Sequence, residues 1–174
     1  LDIFRLKRLQ PNKTYLELLF SPYGVVDTTA FINLYDAENG KYIAIGNYTL
    51  HKFDTELIFA DLDCINRYKA LEIVEGFSTK NAELDRSEVL INGTVVKHPL
   101  QLRIWNSKDT IKTSNGRFKK VSILLRELKV NPVDKKRTTV IKDGKQTVAI
   151  VGHYVHLEYR PLEKDALNWL IRCY

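Results

Sequence analysis

Short segments rich in apolar residues alternate along the chain with turns that contain glycine. Four dipeptides mark these turns: Asn39-Gly40, Asn92-Gly93, Asn115-Gly116 and Asp143-Gly144. Both central residues of a type I′ turn need a positive φ, which glycine adopts freely and Asn or Asp tolerates. Four such signals between β-rich segments predict antiparallel β structure.

The apolar segments between the turns have the length and composition of strands. The opening pair, residues 28–35 and 41–50, predicts a hairpin closed by Asn39-Gly40. Residues 118–130 suit either a strand or a short helix, and the neighbouring Asn115-Gly116 turn favours a strand. The other predicted strands are residues 14–20, 56–63, 70–77, 95–105 and the two arms of a hairpin over 138–159. About eight strands predict an antiparallel β sandwich, of which a jelly roll is one form.

The last segment has a different pattern, which predicts an amphipathic C-terminal helix over residues 161–173. Pro161 suits a helix start, and Arg172 suits the last turn. The apolar residues that fall on one helical face are Leu162, Ala166, Trp169, Leu170 and Cys173. No linker rich in Pro, Gly or Ser divides the 174 residues. We therefore expect a single β-sandwich domain over residues 1–174 that includes this helix.

Charge is spread unevenly along the chain, whose formal net charge is +6. The segment from Lys108 to Lys145 contains twelve Lys and Arg against four Asp and Glu, a net charge of +8. The rest of the chain therefore carries −2. Such asymmetry is typical of a basic face with an anionic partner, either nucleic acid or an acidic membrane surface.

Two short stretches within that segment are the candidate phosphate contacts. Their basic residues are Arg117, Lys119, Lys120, Lys135, Lys136 and Arg137. Lys and Arg attract phosphate without sequence preference. Four aromatic residues nearby in sequence could stack on unpaired bases: Trp105, Phe118, Tyr154 and Tyr159. The alternative is an ordinary lysine-rich surface loop.

Catalytic and metal-binding patterns are missing from the sequence. His153 and His156 lie three residues apart in a predicted strand, so they point to opposite faces. Asp61 and Asp63 share a strand face but lack the nearby lysine that a metal-dependent nuclease uses. No phosphate-binding glycine loop or nucleophile motif occurs. We therefore expect a binding protein that is not an enzyme, with no metal and no cofactor.

One sparse pattern resembles a known family. Leu34-Tyr35-Asp36 is followed, after 56 residues, by Gly93. This spacing is similar to the Leu-x-Asp and glycine signature of the 30K superfamily of viral movement proteins, and the resemblance covers residues 14–105. It implies a jelly roll that binds single-stranded nucleic acid and helps to move it between cells. Asp36 and Gly93 would be the signature residues. The alternative for Asp36 is an ordinary turn residue that accepts backbone hydrogen bonds.

Three rival functions remain open at this level, one of them a nuclease that would need a divalent metal. A viral capsid or matrix subunit would self-associate through the β surface and the helix that carries Trp169. A β-sandwich module for protein or carbohydrate would use Trp105 and Tyr154 as an exposed aromatic patch. The first residues lack the apolar stretch of a signal peptide. We therefore expect an intracellular location, which would be the host cytoplasm for a viral protein.

Overall fold

The computed structural model describes residues 1–24, 27–61, 68, 70–78, 83–162 and 167–174. The chain forms two compact units. Unit 1 contains Leu1–Ile65 and Asn131–Lys136, and unit 2 contains Asn66–Val130 and Arg137–Tyr174. The single domain over residues 1–174 stays a prediction, because a compact unit is not by itself a separate domain.

Unit 1 packs short helices on one face of a three-stranded antiparallel sheet. Its helices are α1 (Ile3–Lys7), α2 (Asn12–Phe20), α3 (Thr28–Leu34) and all but the last residue of the helix Pro132–Arg137. Its strands are β1 (Tyr42–Ile45), β2 (Tyr48–Phe53) and β3 (Glu56–Asp61). The core includes Leu16, Phe31 and Leu50, whose side chains are fully buried. Helix and sheet therefore bury their apolar faces against each other.

The predicted opening hairpin is wrong, because residues 28–34 form a helix. The Asp27 carboxylate accepts the backbone N–H groups of Thr29 and Ala30 at 3.0 Å each, which caps the helix start. Phe31 and Leu34 then face the core at helical spacing. Residues 14–20, also predicted as a strand, belong to α2.

Unit 2 places two antiparallel sheets around one apolar core. The first has the strand order β4 (Leu71–Glu75), β12 (Asn168–Cys173), β5 (Glu88–Asn92), and the second has β11 (Tyr154–Val155), β10 (Gln146–Ile150), β9 (Thr139–Asp143), β6 (Leu100–Ile104). Residues of both sheets, among them Ile91, Ile141 and Ile171, meet in the same buried cluster. The predicted antiparallel, mainly β fold is confirmed, and this unit is consistent with a β sandwich. The jelly roll stays a prediction.

A third layer covers the other face of the four-stranded sheet. It consists of the hairpin β7 (Thr110–Lys112) and β8 (Phe118–Lys120), followed directly by α4 (Val121–Glu127). Ile111 and Leu125 pack there against Val140 and Ile150. All five residues of β9 are consequently buried. The strand favoured for residues 118–130 is wrong after Lys120, because Val121, Leu124 and Leu125 bury one helical face.

The predicted C-terminal helix is wrong for residues 168–173, which form the central strand β12. This strand pairs with β4 on one side and with β5 on the other. Ile171 and Cys173 alternate into the core, and the strand needs partners that the sequence pattern alone does not reveal. Residues 163–166 lie outside the described residues. Among the described residues, no helix is long and apolar enough to cross a membrane.

Candidate nucleic-acid interface

The β7–β8 hairpin is closed by the predicted Asn115-Gly116 turn. The Thr113 N–H donates to the Arg117 carbonyl and the Gly116 N–H donates to the Thr113 carbonyl, both at 2.9 Å. The Asn115 side-chain oxygen accepts from the Thr113 hydroxyl at 2.6 Å and from the Arg117 N–H at 3.2 Å. Gly116 has a φ of +77°, which other residues rarely adopt. This part of the sequence-based prediction is confirmed, and the turn fixes the strand register.

That register sorts the basic residues of the hairpin onto two faces. Thr110 pairs with Lys120, Ile111 with Lys119, and Lys112 with Phe118. Residues directly opposite each other share a face, and the faces alternate along each strand. Ile111 is fully buried, so its face is the inner one. The outer face, called the hairpin face from here on, consists of Thr110, Lys112, Phe118 and Lys120.

Phe118 is the aromatic side chain that the hairpin face offers to solvent. It is 64% exposed and lies directly opposite Lys112. Its ring centroid is 6.1 Å from that of His156, which is itself completely buried. The other predicted stacking residues are less accessible, since Trp105 and Tyr154 pack against the apolar core and Tyr159 is 3% exposed. Trp105 and Tyr154 are half-buried, so they do not supply the exposed aromatic patch that would favour a protein- or carbohydrate-binding module.

The two lysines of the hairpin face differ in their partners. Lys112 Nζ donates to a carboxylate oxygen of Glu158 at 2.6 Å, and this hydrogen bond lowers the pKa of Glu158. The exposed Lys120 makes no ion pair with a described acidic side chain. Ion pairs with an exposed partner contribute little to stability, because water and salt screen them. Lys112 can therefore exchange Glu158 for a phosphate at small cost.

The six predicted phosphate contacts do not all lie on this face. Arg117 is exposed at the end of the turn, beside Phe118. Lys119 is on the inner face, where its Nζ contacts both Glu127 carboxylate oxygens at 2.7 and 3.0 Å. Lys135 and Lys136 belong to unit 1, whereas Arg137 belongs to unit 2. Within unit 2, Arg117 and Lys120 are thus the predicted residues that accompany Phe118.

In unit 1, Lys136 takes part in an aromatic stack that the sequence analysis missed. Its Nζ lies 5.5 Å from the Tyr42 ring centroid, and the Tyr42 ring stacks on His51 at 5.1 Å. Burial lowers the pKa of His51, and the Lys136 charge lowers it further. Tyr42 and His51 are paired across β1 and β2. Lys136 therefore already has a partner for its charge within unit 1.

Asp109 is the centre of a buried ionic cluster, which sequence reasoning also missed. Its carboxylate accepts from the Asn106 N–H at 2.8 Å, from Arg103 at 2.5 Å and from Lys142 at 3.3 Å. Asp109 is 4% exposed and Lys142 is 8% exposed. Burial alone raises the pKa of Asp109, but the hydrogen bonds and charges of these neighbours outweigh it and lower the pKa overall. The cluster ties the start of β7 to β6 and β9.

Asp143 anchors the loop that precedes β6. Its carboxylate accepts the backbone N–H groups of Lys97 and His98, and the Tyr159 hydroxyl, each at 2.8 Å. Burial raises the pKa of Asp143, but these hydrogen bonds together lower it below its usual value. The predicted turn at Asp143-Gly144 lies one residue further along: Asp143 ends β9, and Gly144 and Lys145 form the two-residue connection to β10, with Gly144 at a φ of +55°. Asp143 thus has a structural role.

Asp36 and Gly93 occupy unrelated local structures. Asp36 follows α3, so its predicted position at a strand end is wrong, and its carboxylate pairs with Lys7 Nζ at 2.7 Å. Gly93 begins a 3₁₀ turn capped by the Asn92 side chain. A Cβ at Gly93 would overlap the indole ring of Trp169, so glycine is needed there for close packing. Membership of the movement-protein superfamily stays a prediction.

Two further observations concern metal sites, and a third concerns the predicted self-assembly helix. Among the described residues, no group of three or more His, Cys, Asp or Glu side chains could hold a metal ion. Asp61 ends β3, whereas Asp63 lies outside the described residues, so the predicted pair of acids cannot be placed as a pair. Trp169, predicted on a self-assembly helix, lies in β12 against Gly93.

No protein-family model matches the chain, and no curated protein sequence matches it. Among solved structures, the chain is similar to the crystal structure of the TilS C-terminal domain. The identity is 12%, the alignment covers 79% of this chain and 91% of that chain, and the TM-score is 0.46. A likeness this distant carries no argument about fold or function.

Proposed function

We propose that unit 2 binds single-stranded nucleic acid on the hairpin face. The observation that carries the proposal is Phe118, 64% exposed, with Lys112 directly opposite and Lys120 on the same face. An aromatic ring with a cation on either side matches a strand that alternates bases and phosphates. Arg117, which is exposed and precedes Phe118 in the chain, adds a further cation.

The expected energetics follow from this arrangement. Stacking of a base on an aromatic side chain contributes about 1–3 kcal/mol and tolerates any base. Lysine contacts to phosphate add affinity that falls with salt and carries no sequence information. Stacking needs unpaired bases, so single strands should bind more tightly than duplexes of the same length. The use of such binding in viral movement would require the family resemblance, on which this proposal does not depend.

A fluorescence polarisation titration tests the proposal. Labelled oligouridylate and a duplex of equal length are titrated with the wild-type protein at several salt concentrations. We expect tighter binding of the single strand, with an affinity that falls steeply as salt rises. Equal binding of both forms, or affinity independent of salt, would overturn the proposal.

A matched pair of variants locates the binding surface. The double variant Lys112→Ala, Lys120→Ala should reduce the slope of log affinity against log salt by about 0.7 for each phosphate that the protein no longer neutralises. The control Lys13→Ala removes an exposed lysine from α2 and should leave the slope unchanged. An equal change in the double variant and the control would place the binding elsewhere.

A further inference from the structure

A concave polar pocket opens beside the hairpin face. Its volume is about 420 Å³, and all of its lining residues belong to unit 2. The residues that matter for its chemistry are Arg103, Lys108, Asp109, Thr110, Lys142 and Lys145. Thr110 belongs both to this pocket and to the hairpin face, so the two surfaces are continuous. The volume falls in the range of pockets that hold small molecules, about 300–1,000 Å³.

The charge that lines the pocket is strongly positive. Four cations, Arg103, Lys108, Lys142 and Lys145, stand against the single carboxylate of Asp109. That carboxylate is already saturated, since it accepts from Arg103, from Lys142 and from the Asn106 N–H. The pocket therefore carries a formal excess of three positive charges, which favours an anionic ligand.

The cations differ in what they can still donate. Lys142 Nζ uses its three hydrogens on Asp109, on the Lys145 carbonyl at 2.6 Å and on the Thr147 hydroxyl at 3.1 Å. It therefore contributes charge without a free donor. Arg103 donates to Asp109 and to the Ile104 carbonyl, which leaves three of its five N–H groups without a hydrogen bond to a residue that the structure describes. Lys108 and Lys145 are exposed and form no ion pair with any acidic side chain that the structure describes.

The loop and the turn that carry these lysines are held in place. The Asn106 side chain accepts the Lys108 N–H at 2.9 Å, and the Asn106 N–H in turn donates to Asp109 at 2.8 Å. Lys145 sits in the two-residue turn between β9 and β10, and its carbonyl is bound by Lys142. The backbone that carries these two lysines is therefore ordered before any ligand arrives, which lowers the cost of binding.

We infer that this pocket binds a phosphate monoester. A monoester carries close to two negative charges at neutral pH and presents three terminal oxygens, whereas a phosphodiester within a strand carries one charge. The forked N–H groups of Arg103 suit two of those oxygens, and Lys108 and Lys145 supply point charges. The ligand is either a free nucleotide-sized molecule or the phosphorylated end of a nucleic-acid strand. This inference goes beyond strand binding on the hairpin face and does not depend on it.

The test compares two oligouridylates that differ only in a 5′-phosphate, together with uridine 5′-monophosphate and uridine. Isothermal titration calorimetry with the wild-type protein should give about tenfold tighter binding of at least one phosphorylated ligand than of its unphosphorylated partner. A gain on the oligonucleotide alone would identify a strand end as the ligand. A gain on the mononucleotide alone would identify a free nucleotide. Equal affinity with and without the phosphate in both pairs would overturn the inference.

Variants separate this pocket from the hairpin face. Lys108→Ala with Lys145→Ala should remove most of the affinity gain from the phosphate, because two cations of the pocket are lost. Both side chains are exposed, so the fold should not need them. The control Lys13→Ala should keep the gain. Phe118→Ala should weaken both oligonucleotides equally and leave the gain unchanged. If oligonucleotides fail to bind but the mononucleotide keeps its affinity gain from the phosphate, the hairpin-face proposal fails and the pocket inference stands. If the variant Lys108→Ala with Lys145→Ala keeps the full affinity gain, the pocket inference is wrong.

Discussion

Unit 2 contains two polar regions that use the same residue types in opposite ways. In the buried cluster, Lys142 is 8% exposed and donates to Asp109, to Thr147 and to a backbone carbonyl. On the hairpin face, Lys120 is exposed and makes no ion pair with a described acidic residue. The first lysine is committed to the fold, and the second is available for a ligand. Burial and partners therefore decide what a basic residue does, and charge counts along the sequence do not.

The largest effect should come from breaking the buried cluster. Asp109→Ala leaves the ammonium of Lys142 buried without its carboxylate, which should reduce the free energy of unfolding by about 3–5 kcal/mol. Urea denaturation measures the loss. The control Glu127→Ala removes the exposed partner of Lys119 and should cost less than about 1 kcal/mol. Equal losses in the two variants would erase the distinction between the regions.

The next effect concerns ligand affinity and leaves the fold intact. Phe118→Ala should weaken single-stranded oligonucleotide binding by about 1–3 kcal/mol, because one base loses its stacking partner. Phe118→Trp should retain the affinity, since indole offers an aromatic face of at least the same size. Polarisation titrations measure both variants. The free energy of unfolding of Phe118→Ala should equal that of the wild-type protein. An oligonucleotide affinity equal to that of the wild-type protein would contradict binding on the hairpin face.

Acid should weaken the interior of unit 2, because two of its buried carboxylates hold hydrogen bonds that need the ionised form. The pKa values of Asp109 and Asp143 are lowered in the folded protein, so their contribution to stability is complete above the unfolded value of about 3.9. It is lost as pH falls below that value toward the folded pKa. Denaturation between pH 7 and pH 2 should show this decline. In the variant Asp109→Asn, the free energy of unfolding should fall less steeply with decreasing pH, because one titrating carboxylate is gone. The same pH dependence as in the wild-type protein would contradict the role given to Asp109.

The smallest effect distinguishes the two faces of the hairpin. Lys120→Ala should reduce oligonucleotide affinity, whereas Lys119→Ala should change it by less than about 0.5 kcal/mol. Lys119 lies on the inner face and is held by Glu127, so its charge is already paired. Titrations at one low salt concentration compare the two neighbours directly. A larger loss of affinity in Lys119→Ala than in Lys120→Ala would mean that the strand register does not determine which lysine contacts the oligonucleotide.

The sequence predicted the parts of the fold that depend on local turn chemistry. Asn115-Gly116 and Asp143-Gly144 identified two real hairpins, because glycine supplies the positive φ that each turn needs. The helix α3 was missed although Asp27 stands at its cap position, since its apolar residues also suit a strand. The C-terminal strand β12 was missed because its apolar residues have helical spacing. It forms a strand because it pairs with β4 and β5, which are distant from it in sequence.

The candidate site was predicted in part for the same reason. Arg117 and Lys120 flank a turn that the sequence revealed, and strand alternation places Lys119 on the opposite face from its neighbours. The contact of Asp109 with Lys142 joins residues 33 positions apart, and no local pattern indicates it. The pocket near Arg103 depends on that contact. Long-range pairing therefore sets the limit of prediction from this sequence.

Backbone NMR mapping of the oligouridylate site tests the central claim most directly. The amide signals of the isotope-labelled protein are followed while oligouridylate is added at low salt. We expect the largest shifts on residues 110–120, around Phe118, and we expect them to be clearly smaller in the variant Phe118→Ala at the same oligouridylate concentration. Shifts confined to other parts of the chain, or shifts of the same size in this variant, would contradict the claim that the hairpin face binds single strands.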